Sequence, residues 1–153
     1  MISKPEELDL TLEDHDKALH EISFLLHNMT GTVSELVGRA TRTVALSAGR
    51  EAAHKMTAFG ETTEPHEVIK AVIQKLSGGF HLEARWEGED LILTFQHCII
   101  RELSRKAELD LGGPLCTMFH GYVNGIIAEL TKKGVRFKIE SVGKEQCVIN
   151  HLF

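Results

Sequence analysis

The sequence holds no apolar run approaching the ~20 residues of a membrane span, so a spanning helix is not expected. It has three cysteines, an odd number, and none of them stands in a C-x-x-C pair. Its first residues, MISKPEELDLTLEDHD, are acidic and lack the apolar stretch of a secretory signal. A disulfide framework is therefore not expected, and a cytoplasmic location is. Basic charge is also scarce: 17 Lys and Arg face 22 Asp and Glu, a net charge of −5, which argues against a nucleic-acid or anionic-membrane partner. There is no internal repeat or low-complexity tract, and no nucleophile elbow, phosphate loop or dinucleotide fingerprint.

What is present suits one folded domain. The 153 residues, 42% hydrophobic and 25% charged, are ordinary for a globular chain and long enough to bury a core without cross-links. A single domain spanning 1–153 is expected, with residues 1–10 loosely ordered because Lys4-Pro5-Glu6-Glu7 has little to bury.

Periodicity then divides the chain. Thr11-x-x-Asp14 reads as a helix-start capping pattern, and Leu19, Ile22, Leu25 and Leu26 carry a first helix over about 12–29, with Thr30-Gly31 as its expected break. A second helix is expected over about 32–57, its apolar stripe made of Val33, Leu36, Val37, Ala40, Val44, Ala48 and Ala52. Its small residues, among them Ala45 and Gly49, permit close packing. Pro65 opens a third helix that Gly78-Gly79 ends. From Phe80 the period falls to two: Phe80, Leu82, Ala84 and Trp86 alternate with polar residues, Gly88-Glu89-Asp90 turns, and Leu91, Leu93 and Phe95 return. A short helix over about 99–107 follows, then a helix from Pro114 to Gly134, then a second hairpin from Val135 onward. The order ααα-ββ-αα-ββ predicts an α+β domain: an antiparallel four-stranded sheet of two hairpins with helices packed on one face.

The candidate chemistry lies in the C-terminal half. Cys116 and His120 are four residues apart, so they share one helix face with β-carbons ~5–6 Å apart. Cys116 also falls in the first helical turn, where free amides and the helix dipole favour a thiolate. Cys98 ends a strand and Cys147 lies in the last one, expected over 146–153, so a Cys98, Cys116, His120, Cys147 set would suit structural zinc or, alternatively, an iron–sulfur cluster. Glu140 and His151 are rival ligands to His120. Three separate buried thiols are the competing reading, since free cysteine is among the most buried residue types. On the same helix, Gly121 and Gly125 allow either another helix or a bound molecule to approach, and Phe119 and Tyr122 form an apolar stripe that is core or the wall of a ligand cavity.

The stretch Gly113-Pro-Leu-Cys-Thr-Met-Phe-His-Gly-Tyr-Val-Asn-Gly-Ile-Ile, with Phe137-Lys-Ile-Glu140 and Gly143-Lys-Glu-Gln-Cys147-Val-Ile, resembles the 4-vinyl reductase domain family, which includes hydrocarbon-binding proteins and ligand-sensing domains of aromatic-responsive regulators. Gly38-Arg-Ala-Thr-Arg-Thr-Val-Ala-Leu-Ser-Ala-Gly-Arg-Glu-Ala-Ala looks like that family's small-residue helix, so the resemblance covers about 33–153. It implies a small-molecule or metal-binding, sensor-type domain that forms a homodimer. It places Cys116, Glu140 and Cys147 at three zinc-ligand positions, with Gly143 where the family carries a further cysteine. Phe95-Gln-His-Cys98-Ile-Ile-Arg-Glu-Leu103 is similar to a stretch of metal- or cluster-binding regulator domains and implies instead the Cys98, Cys116, His120, Cys147 set. Two alternatives stand beside this reading: a cysteine-dependent hydrolase using Cys116 and His120, and a protein-interaction module similar to transport-particle subunits.

Overall fold

A computed structural model of the chain describes residues 10–55, 61–106 and 108–153. The expectation about residues 1–10 falls, Leu10 apart, outside them, as does the end of the second expected helix beyond Lys55. The elements run α1 (Leu12–Val37), a short 3-10 turn (Gly38–Ala40), α2 (Thr41–Lys55), α3 (Pro65–Leu76), β1 (Phe80–Glu87), β2 (Asp90–Cys98), α4 (Ile99–Lys106), α5 (Pro114–Thr131), β3 (Arg136–Val142) and β4 (Cys147–Leu152). The four strands form one antiparallel sheet in the order β1-β2-β4-β3, which is the expected α+β arrangement of two hairpins.

Local chemistry explains most boundaries. Thr11 caps α1 through its hydroxyl, and Asp14 reaches back to the Thr11 amide, a complete capping box. Gly88 takes a φ of 65° at the tip of the β1–β2 hairpin, a conformation that suits a glycine in a two-residue turn. Inward residues of β2 and β4, namely Leu91, Leu93, Phe95 and Ile149, are fully buried against Val123, Ile126 and Ile127 of α5. Each such side chain contributes about 1.5–3 kcal/mol by leaving water.

Helix α5 buries most of its circumference, because the sheet covers one side and α2 the other. The α2 contact corrects the expected stripe. Thr41, Ala45, Gly49 and Ala53 face inward, whereas Val44 and Ala48 face out. The backbones come so close that only small side chains fit: a β-carbon on Gly49 would lie 2.0 Å from the Tyr122 carbonyl oxygen. Size, not hydrophobicity, selects the inner face.

Helix α1 departs from expectation twice. It runs unbroken through Thr30-Gly31 and ends only at Gly38, whose φ of 53° disfavours a side chain and stops the helix. Its expected core residues Leu19, Ile22, Leu25 and Leu26 are exposed, while Ser23 and Thr30 are the residues it buries. The helix thus turns a small polar face toward the body of the domain and a large apolar face outward.

Candidate functional site

Two β-bulges set the geometry around the cysteines. In β2 an extra residue, Gln96, interrupts pairing with β1, and the phase shift turns Cys98 to the buried side that Phe95 also occupies. In β3 the extra residue is Glu140, which points outward and accepts a hydrogen bond from Lys138 Nζ at 3.0 Å. Glu140 is therefore turned away from the cysteines.

Cys98, Cys116 and Cys147 are all free and buried. Each sulfur receives a donor. The backbone N–H groups of Arg101 and Ile100, at the start of α4, point to Cys98, and that of Gly112 points to Cys116. Arg101 Nη1 lies 3.6 Å from Cys147 Sγ. Arg101 is itself buried, donates to the carbonyl oxygens of Phe95 at 3.2 Å and Gln96 at 2.5 Å, and has no carboxylate partner among the described residues. Burial nevertheless pushes the Cys98 and Cys116 thiols up, and neighbouring thiol charges push the same way, outweighing the N–H donors. The helix-start position of Cys116 does not yield the lowered thiol that sequence position suggested, because desolvation wins.

His120, one turn beyond Cys116, packs its ring edge-on to Phe95 at 5.0 Å and beside Phe119 at 5.3 Å. Phe119 stacks on Phe80 at 4.8 Å, so His120 belongs to an aromatic cluster under the sheet. Burial lowers the His120 pKa to about 4. A histidine whose pKa burial holds near 4 is a weak base toward a thiol that burial has raised, which weighs against the hydrolase alternative. Among the described residues, no group of three or more His, Cys, Asp or Glu side chains is arranged to hold a metal ion.

Of the residues expected to receive a small molecule, Gly121 and Gly125 are filled by α2. A β-carbon on Gly121 would meet Ala45 Cβ at 2.8 Å, and one on Gly125 would meet the Leu46 carbonyl oxygen at 2.2 Å. This is the helix-packing reading of the two glycines, and it leaves no room there for a bound molecule. Phe119 and Tyr122 both pack, partly buried, on the core cluster.

His151 gains importance. It is 1% exposed, on the inner face of β4, with its pKa lowered to about 3 by burial and then by the nearby His120. Its Nδ1 lies 3.0 Å from Asn124 Oδ1, while Asn124 Nδ2 donates to the Val135 carbonyl oxygen at 2.9 Å. That second bond fixes which end of the amide is oxygen, so His151 Nδ1 carries the proton and donates. Nε2 of the neutral ring is then a bare acceptor, and it has no hydrogen-bond partner. Asn124 and Arg101 escaped sequence reasoning. A polar residue in the middle of Tyr-Val-Asn-Gly-Ile-Ile was the available signal for the first; nothing in the sequence marks the second.

No family model and no curated protein matches the sequence. The fold is similar to that of a solved sensor: the crystal structure of the phenol-responsive sensory domain of the transcription activator PoxR with phenol, at 12% identity, over 87% of this chain and 73% of that one, with a TM-score of 0.56. The likeness is one of fold. No helix among the described residues is long and apolar enough to cross a membrane.

Proposed function

We propose that this chain is a small-molecule-binding, sensor-type domain, of the kind its resemblance to 4-vinyl reductase domains implies, and that it works as a homodimer. The observation that carries the ligand reading is His151 Nε2, a buried acceptor without a donor, on the strand position paired with buried Leu91 and close enough to His120 to feel its charge. An unpaired buried acceptor costs about 1–3 kcal/mol, and a ligand donor that reaches it recovers that amount. The ligand class that fits is a small molecule with an apolar body and one hydroxyl: the apolar body for the buried surroundings of His151, the O–H for Nε2. The fold shared with a phenol-responsive domain supports the same class. Titration of isotope-labelled protein with phenol and with anisole tests it. Phenol is expected to move the His151 ring signals, and anisole, which cannot donate, to bind at least about tenfold more weakly. Equal binding of the two, or no binding of phenol, overturns the reading.

The dimer rests on α1. Leu12, Leu19, Leu26 and Val33 alternate with His15, Ile22, Met29 and Leu36 at the three- and four-residue steps of a heptad, and all but Val33 are exposed. A 26-residue helix is ~39 Å long, enough for a continuous seam with a second copy.

Zinc, or an iron–sulfur cluster, on Cys98, Cys116 and Cys147 is a second reading, with His120 as the expected fourth ligand. It is favoured by the N–H donors aimed at Cys98 and Cys116 and by the Arg101 guanidinium at Cys147, an outer shell suited to thiolate charge. Elemental analysis of protein purified without oxygen decides it: near one zinc per chain, lost in Cys116→Ser, supports the site, and only trace metal removes it.

A further inference from the structure

A cavity of about 260 Å³ opens between α2, the buried side of α5 and the start of β3. Leu46, Val135 and Phe137 give it apolar walls, and Asn124 reaches it from α5. Two guanidinium groups, Arg42 and Arg136, also line it. Arg42 stands over the Phe137 ring, 5.0 Å from its centroid. None of the ion pairs among the described residues includes either arginine. Two unpaired cations beside an apolar hollow form a specific chemical arrangement. A guanidinium presents a planar fork of donors that matches a carboxylate, and the aromatic face under Arg42 restrains that fork. We propose that this cavity is a second binding site, for a small organic carboxylate with an apolar body. The carboxylate bridges Arg42 and Arg136, and the apolar body lies on Leu46, Val135 and Phe137.

The volume limits the ligand to one ring or a short branched chain, since it lies below the ~300–1,000 Å³ of drug-sized pockets. The site is distinct from the His151 acceptor, because its ligand is an anion and its donors are on the protein. Asn124 touches both, lining the cavity and holding His151 Nδ1, so filling the cavity is felt at His151 without blocking Nε2.

Titration of the labelled full chain with 3-phenylpropanoate, 3-phenylpropan-1-ol and inorganic phosphate tests the proposal. The carboxylate is expected to give saturable amide shifts over residues 135–137 and 42–46. The alcohol and phosphate should each bind at least about tenfold more weakly, one lacking the charge and the other the apolar body. Arg136→Gln and Arg42→Gln, both at exposed positions, should each weaken the carboxylate about tenfold while far-ultraviolet dichroism stays unchanged. Saturating phenol should not displace it. Equal affinity for the alcohol or for phosphate, shifts centred elsewhere, no saturable binding, or competition by phenol overturns the proposal. Failure of phenol to bind bears only on the His151 reading.

Discussion

Helices α1 and α2 follow one another in the chain, yet they bury opposite kinds of residue. Helix α2 presents Thr41, Ala45, Gly49 and Ala53 to α5, so closely that backbone meets backbone. Helix α1 keeps Ser23 and Thr30 inward and leaves Leu12 at 86% and Leu36 at 80% exposure. In both helices the most buried positions hold small residues, and the leucines and isoleucine of α1 and Val44 of α2 point away. Hydrophobicity alone therefore assigns these two faces wrongly, while side-chain volume assigns them correctly. The large apolar face of α1 is left exposed within one copy of the chain, and the small face of α2 lets α5 come near.

The largest effect should come from breaking the close approach. Gly49→Ala and Gly125→Ala place a β-carbon 2.0 and 2.2 Å from backbone carbonyl oxygens, atoms that cannot swing aside. Each should cost about 3 kcal/mol or more, read as a drop in urea midpoint, or abolish folding. Gly121→Ala should cost less, because its nearest neighbour is the Ala45 methyl. A loss under ~1 kcal/mol in Gly49→Ala would show that α2 and α5 are free to separate.

The other side of α5 should show itself through pH. His120 and His151 are buried and neutral, with pKa values of about 4 and about 3 against an unfolded value of 6.5. Above pH 6.5 both states are neutral there, and no stability is at stake. As pH falls from 6.5 toward 4 the unfolded chain binds these protons first, so stability is lost, on the order of 3 kcal/mol through His120 alone. Urea midpoints at pH 7 and pH 4.5 measure this, and His120→Gln should flatten the profile. A wild-type midpoint that does not move over that window contradicts the buried, neutral assignment.

The sheet was legible because its cues are local: two-residue alternation in Phe80–Trp86 and Leu91–Phe95, with Gly88 at the turn. So was the start of α1, where Thr11 and Asp14 form the cap their spacing promised. The side of the sheet on which a residue sits past a bulge was not legible. Gln96 shifts Cys98 inward and the bulge at Glu140 leaves that carboxylate outside, and neither insertion leaves a mark in the sequence. Arg101 was invisible for a related reason: its partners, the Phe95 and Gln96 carbonyls, are freed only by the irregular end of β2. The pairing of Cys116 with His120 on one helix was read correctly from spacing, but what each touches depends on the facing strands.

The outward face of α1 should respond to charge in oligomeric state before stability. Ile22→Glu and Leu26→Glu place a carboxylate in the seam, and the dimer dissociation constant should rise about a hundredfold, equivalent to ~2.7 kcal/mol. Sedimentation equilibrium measures it. The urea midpoint extrapolated to low protein concentration should hardly change, since both side chains are already exposed within one copy. A wild-type chain that stays monomeric at tens of micromolar would remove the dimer and leave the exposed face of α1 for a different protein.

The smallest effect sharpens the same contrast within a single helix. Gly31 sits inside α1 with nothing within 4 Å of where its β-carbon would be, whereas Gly38 ends the helix at a φ of 53°. Gly31→Ala removes conformational freedom from the unfolded chain and adds no clash, so it should stabilise by about 0.5–1 kcal/mol. Gly38→Ala must hold a side chain in a conformation that L residues disfavour, and should destabilise by about 1 kcal/mol. Opposite signs for the two, read from paired urea midpoints, would establish that α1 is one continuous helix to Val37. A loss in both would mean that the chain bends at Gly31 in solution, and the heptad seam from Leu12 to Leu36 would then be two short segments, not one.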